Sequence, residues 1–311
     1  MALIRFGWAC AVAFMSGVCF YATLRVGSRR RQWLWLLLLE SLAVSTPLLV
    51  PARARFLRFL AAVIAAWVGT KLYDLHRAAG RGFRPHLGTF VGYLPNPFAL
   101  ALDTVLREPR PPWRPDVLRL LLGALGSAVA LALLIRIFRV DWQRLPFALE
   151  HCAKLVGLFL VILFFANGMA AGYRLCGLPA TNFSGNYFFA RTPAEFWRQY
   201  NRPVAQFFYE DVFKPLGGMR RPMIATLMTF AVSGVIHEYI FDIPARRVVG
   251  WQMAFFIVQG LAVVATLRVR PRGWRAALAI LLTLAFNVAT GVLFFKSMNA
   301  VVPFYVNRVP G

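Results

Sequence analysis

The chain has 311 residues, 59% of them hydrophobic and only 15% charged, with a mean hydropathy of +0.60 and a net charge of +23. Soluble domains carry about 45–50% apolar and about 25% charged residues, so this composition excludes a large soluble core and describes a polytopic membrane protein. A charge of that sign in a soluble chain would point to nucleic acid. Here the basic residues sit between apolar stretches, at Arg29–Arg31, Arg53/Arg55/Arg58, Arg220/Arg221, Arg246/Arg247 and Arg268/Arg270/Arg272/Arg275. They read as topology determinants and lipid-headgroup contacts, and no nucleic-acid partner is expected. Arginine far outnumbers lysine, which leans toward a GC-rich, bacterial source and an inner-membrane location.

A span needs roughly 20 mostly apolar residues. Eight stretches qualify, about residues 4–24, 33–51, 56–75, 116–138, 149–172, 222–241, 249–267 and 276–296. The first lacks a small-residue cleavage site and reads as a span, not a signal peptide. The expected fold class is therefore all-α, a polytopic transmembrane helical protein of about eight spans in a single domain over residues 1–311. Residues 87–102 are apolar but broken by Pro95 and Pro97, as a re-entrant or interfacial piece would be. No internal repeat is present, which argues against an inverted-repeat transporter. Cys10, Cys19, Cys152 and Cys176 show neither CxxC nor Cys/His ligand spacing, so neither a disulfide framework nor a metal site is expected.

The connector at about 173–221 opens a helix at Thr192-Pro193-Ala194-Glu195, with a capping Thr, a Pro at the first helical position and a Glu three residues after the cap. Phe196, Tyr200, Val204, Phe208 and Val212 recur every four residues, while Arg198, Gln199, Arg202, Gln206 and Glu210 take other faces. This pattern predicts one amphipathic, interfacial helix kinked at Pro203, with Asn201 beside the kink.

Within the span Met223–Phe241 stands His237, followed by Glu238. Ionisable side chains inside a span are costly and are functional candidates by default. Apolar surroundings disfavour the charged imidazolium, and a neutral ring can serve as a general base near pH 7. His237 shares a helix row with Ser233 and Thr229. Asn201 lies 36 residues upstream and pairs with it chemically, because acyl transfer needs a donor near the developing oxyanion as well as a base. Glu238 is read either as orienting the imidazole or as pairing with an arginine. Gln252, Gln259 and Asn287 are polar groups in the last two spans; Gln259, at mid-span, is the one placed to line a cavity. His151 and His76 read as structural and His86 as solvated. No GxSxG, Walker or HExxH motif occurs.

FWRQYNRPVAQFFYEDVFKP followed by FAVSGVIHEYIFDIP resembles the membrane-bound O-acyltransferases, most nearly the diacylglycerol and sterol O-acyltransferase branch and the wax synthases. Phe196, Trp197, Asn201, Pro203, Val204, Lys214 and Pro215 fit the first motif; Ser233, His237, Glu238, Tyr239 and Pro244 fit the second. Tyr200 stands where that family usually has Trp. The detailed likeness covers residues 190–245. It implies a multi-helix fold around an intramembrane reaction chamber, with His237 catalytic and Asn201 its companion. Supporting roles fall to Glu238, Ser233, Trp197 and Gln259. Phe196, Tyr200 and Phe208 are expected to line an acyl tunnel, and Arg198, Arg202 and Lys214 to meet the phosphates of CoA. The implied reaction esterifies a lipid or long-chain alcohol, of wax-ester, diacylglycerol or sterol type. Acyl-CoA is the co-substrate, and no bound cofactor is needed. Membrane lipids are the other expected partners, and self-association is left open. Two other readings stand beside it: an O-acetyltransferase of a glycan or secondary metabolite, and a proton-coupled transporter using His237 and Glu238.

Overall fold

Long apolar runs flanked by arginine and broken by Gly or Pro at their ends wind into helices, since only an internally bonded backbone can sit in hydrocarbon. In the computed structural model, which describes residues 1–25, 28–109 and 111–306, every regular element among those residues is helical. The helices are α1 (Ala2–Thr23), α2 (Arg29–Ser45, prolonged by a 3-10 turn to Leu49), α3 (Arg55–Gly80), α4 (Leu87–Tyr93), α5 (Leu102–Arg107), α6 (Trp113–Phe138) and α7 (Phe147–Leu175). They continue as α8 (Pro193–Gln199), α9 (Arg202–Phe207), α10 (Pro222–Ala245), α11 (Trp251–Thr266) and α12 (Trp274–Met298).

Among the described residues seven are long and apolar enough to cross a membrane: α1, α2, α3, α6, α7, α10 and α12. The eighth predicted span is α11, and its 16 residues make about 24 Å at 1.5 Å per residue, short of the roughly 30 Å of hydrocarbon in a bilayer. Its start is set by Gly250, whose φ of 79° is left-handed.

The predicted re-entrant piece forms α4, an irregular turn over residues 94–101, and α5. Irregular backbone away from water must be satisfied within the protein, and Lys71 of α3 does this. Its fully buried ammonium donates to the carbonyls of Tyr93 (2.6 Å), Asn96 (2.9 Å) and Ala99 (2.8 Å). Asn96 fastens the same turn to the connector after α7, donating to Pro179 O at 2.6 Å.

Helices α6 and α7 pack through small residues. A Cβ built on Gly168 would lie 3.0 Å from the Cα of Gly123, so the two backbones touch there. Arg174 closes the end of the pair with a fork onto Asp116, at 2.7 and 2.6 Å. At the other end of α7, His151 bonds Tyr305 OH (2.6 Å) and Val288 O (2.7 Å), the structural role expected of it.

Helix α10 lies between α3 and α11. Phe241 meets Phe59 on the α3 side, and Tyr239 OH reaches Val44 O of α2 at 2.7 Å. On the other side Gly234 lets α11 approach closely, since a Cβ there would sit 3.3 Å from Met253 Cα. That approach brings Phe256 against His237.

The predicted kinked amphipathic helix is instead two short helices and a π-helical turn, Phe208–Phe213. Tyr200 is extended and Asn201 is left-handed, with φ 47° and ψ 60°. Pro203 falls in the first turn of α9, where its missing N–H costs nothing. The break is enforced from outside: Arg202 N donates to Phe183 O at 2.7 Å, pinning the chain to the preceding loop.

Replacing Lys71 by Met keeps the stem and leaves the carbonyls of Asn96 and Ala99 without a donor, while Tyr93 O keeps only the Asn96 N–H. At roughly 1–3 kcal/mol for each unsatisfied group, the loss should be about 2 kcal/mol or more. It is read as a lowered unfolding temperature of the detergent-solubilised protein.

Candidate active site

His237 sits on the α11-facing side of α10, with its ring 4.4 Å from Phe256 and 5.9 Å from Phe294. Its Nδ1 is 2.8 Å from Ser233 O. A carbonyl oxygen only accepts, so Nδ1 carries the proton and Nε2 is left with its lone pair. Among the described residues Nε2 has no hydrogen-bond partner, and the side chain keeps accessible surface inside an aromatic cluster. Ser233 thus supports His237 through its backbone, one helical turn back.

Glu238 meets neither the imidazole nor an arginine. Its Oε1 accepts from Met253 N at 2.9 Å, capping the first turn of α11, where four N–H groups lack helical partners. Its role is to fix where α11 begins, and through that the position of Phe256 three residues further on.

Trp197 joins the connector to this cluster. Its ring packs on Phe230 (5.4 Å) and Phe256 (5.9 Å), and its Nε1–H donates to Gln259 Oε1 at 2.9 Å. Gln259, 1% exposed, passes the chain on, donating from Nε2 to Thr290 Oγ1 (2.9 Å) and Asn287 Oδ1 (3.3 Å) of α12. Asn287 Nδ2 is buried with no partner among the described residues. Thr290 is absent from the sequence reading, since a threonine inside an apolar run carries no signal of its own. A polar relay thus runs from α8 through α11 to α12 beside His237.

Asn201 stands at the break four residues after Trp197. Its backbone carbonyl accepts from Ala205 N at 2.9 Å, starting α9, and its side chain makes no capping bond. No hydrogen bond joins Asn201 to His237; the ring of the preceding Tyr200 packs on Trp197 (6.0 Å), which packs on Phe256, the ring against His237.

The expected aromatic ladder is divided by that break. Phe196 and Tyr200 stack at 5.4 Å and pack with Tyr187 and Phe159. Burial pushes the Tyr200 phenol up to about 12, so it stays a neutral hydroxyl. Phe208 falls in a different cluster, with Phe207, Leu100 and Val212. The three expected cations also part company. Arg198 is exposed, Lys214 is bound by Glu210 at 2.7 Å, and Arg202 lines a polar cleft of about 370 Å³ with Arg119, Arg174, Glu108 and Asp116.

Residues 140–295, half of the chain, match the MBOAT, membrane-bound O-acyltransferase family. The chain belongs to that family and is an integral, multi-pass membrane protein. It is 29% identical over 125 residues to a probable long-chain-alcohol O-fatty-acyltransferase 9 of Arabidopsis thaliana, covering 35% of this chain and 37% of that protein. Over 127 residues it is 30% identical to acyl-CoA–sterol O-acyltransferase 1 of the same plant, covering 36% and 37%. Over 78 residues it is 30% identical to a probable sterol O-acyltransferase 2 of Schizosaccharomyces pombe, covering 25% and 16%. Each match spans well under half the length of the relative.

Two outcomes test the local architecture. Trp197→Phe keeps the ring packing and strands Gln259 Oε1, so stability should fall by about 1–3 kcal/mol; Trp197→Phe with Gln259→Leu should recover part of it in thermal unfolding. At the start of α8, Arg191 bonds the Glu195 carboxylate (3.1 Å) and holds it below the usual glutamate range. A depressed folded-state value gives stability that is full above the unfolded glutamate value and lost as pH falls through the folded one. The unfolding temperature should therefore drop on acidification across that window, and Glu195→Gln should flatten the drop.

Proposed function

We propose that this protein is an O-acyltransferase that uses acyl-CoA to esterify the hydroxyl of a lipid or long-chain alcohol, with His237 as its base. The observation that carries this reading is the Nδ1–H bond to Ser233 O, which leaves Nε2 as an unoccupied proton acceptor inside an apolar helix cluster. Family membership and the acyltransferase relatives support the reaction class.

In this reading Nε2 takes the acceptor hydroxyl's proton as the oxygen attacks the thioester carbonyl. The Ser233 carbonyl steadies the imidazolium as it forms. The tetrahedral intermediate collapses with loss of the CoA sulfur, which recovers the proton from His237 and departs as free thiol. Ester and CoA are the products and no acyl-enzyme forms. The Asn201 amide, free of a capping bond, donates to the oxyanion. Both substrates must be held together, so positioning supplies much of the rate. The relay from Trp197 to Thr290 holds α8 against the histidine's helix cluster. The cleft containing Arg202 is the best match for the CoA phosphates by charge. The arginine-rich composition supports a bacterial inner-membrane setting.

The test is ester formation by purified protein from labelled long-chain acyl-CoA, offered diacylglycerol, sterol, long-chain alcohol and short alcohols. His237→Ala should lower turnover by about 10²–10⁴-fold. Asn201→Gly tolerates the left-handed backbone and removes only the side chain, so it should lose about 10²-fold with unchanged unfolding temperature. Asn201→Ala should add a stability loss of about 1 kcal/mol from the backbone. Ester formation that survives His237→Ala would rule out the assignment. Transfer confined to acetyl-CoA and glycan acceptors would move the substrate class and keep the base.

A further inference from the structure

A second site lies on the opposite side of α10 from His237. Between α2, α3, α10 and the π-helical turn is a cavity of about 590 Å³, within the range of small-molecule sites. Its walls are mostly apolar, from Val44, Ala66, Phe207, Val212, Val232 and Ile236. Val232, Val235 and Leu216 on its rim are 38%, 57% and 41% exposed, so it opens on the apolar outer surface of the bundle.

The polar groups at this cavity are unusual for such a lining. Glu40 sits within the leucine-rich run of α2 and faces the cavity, packed over Gly69. Among the described residues it has no hydrogen bond and no ion pair. A carboxyl group inside a span normally has a partner or a function. Tyr73, which lines the cavity with Glu40 and Asp211, offers a phenol that makes no hydrogen bond among the described residues. Asp211 is delivered by the π-helical turn, a feature frequent at functional sites. Its Oδ1 is held by Arg81 at 3.3 Å, with Arg77 at 3.8 Å, and its buried carboxyl lies against that of Asp74.

We infer that this cavity binds a long-chain lipid carrying a neutral hydroxyl, which donates to Glu40 while its chain fills the apolar space. The chemistry selects that occupant. An anionic head would meet two carboxyl groups. A bare hydrocarbon would leave Glu40 without a partner. A cationic head would find the Asp211 carboxyl already paired with Arg77 and Arg81. A hydroxyl donates to Glu40 and can accept from Tyr73 at the same time.

This site stands independently of the acyl-transfer reading and is tested without turnover. Full-length wild type in detergent is photolabelled with a long-chain primary alcohol bearing a mid-chain diazirine, and labelled peptides are mapped by mass spectrometry. The label is expected on peptides of α2, α3 or α10 that line the cavity, and unlabelled alcohol should compete it away in wild type. Glu40→Leu removes the acceptor and should reduce labelling there by about tenfold, as loss of one hydrogen bond would; Ala66→Phe fills the space and should reduce it at least as much. Glu40→Gln, which keeps a carbonyl acceptor, should retain most of it. Equal labelling by the matching hydrocarbon or amine, label that maps elsewhere, or undiminished labelling of Glu40→Leu would overturn the proposal. Normal labelling in a protein that forms no ester would leave this site standing and count only against the acyl-transfer reading.

Discussion

Where water is absent, every polar group must find its partner within the chain, and this structure is organised by how that demand is met. Lys71 gathers three carbonyls of an irregular turn. Glu238 caps a neighbouring helix. Gln259 receives from one helix and donates to another. Against that background the groups that are left over become informative. Among the described residues, three of the groups that make no hydrogen bond are His237 Nε2, the Asn201 side chain and Glu40. Two of them belong to one proposed reaction centre and the third to a separate cavity.

Helix α10 is what sets these two places apart. Its α11 face carries Phe230, Ser233 and His237 under the aromatic rings of α11 and α12. Its other face, with Val232, Val235, Ile236 and Tyr239, forms a wall of the second cavity. A polar residue on one face and an apolar wall on the other explain why the segment reads in sequence as a plain apolar run with one histidine.

The spans were legible because apolar length is a local property, and the ends predicted from composition fall within a few residues of the observed helices. The ends of α11 agree as well, 249–267 against Trp251–Thr266; what the apolar run did not show is that its 16 residues are too few to cross a membrane. Trp197 and Gln259 were singled out separately, but their hydrogen bond joins residues 62 apart and could not be read from spacing. The break at Asn201 was hidden for a similar reason. The four-residue aromatic rhythm continues straight through it, and the force that interrupts it is a bond from Arg202 to Phe183 of another segment. Glu40 is a different case. The rule that drew attention to His237 applies equally to a glutamate in LWLLLLESLAV, and its signal was present in the sequence all along.

The two unpaired sites also differ in what they ask of the protein. In the proposed reaction the base changes charge during each turnover, so His237 in that role would need a partner that tolerates both states. A backbone carbonyl at Nδ1 does so without moving, because it accepts from the imidazole and from the imidazolium alike. A binding carboxyl has no such cycle. Glu40 needs only a donor that arrives with its own apolar chain, and the cavity beside it supplies the room. That contrast explains why the histidine is buried under rings that exclude water, whereas the glutamate lies in a cavity whose apolar rim is open. Under the two proposals, the first position would restrict access to protect a proton transfer, and the second would leave a way in for a ligand already dissolved in the membrane.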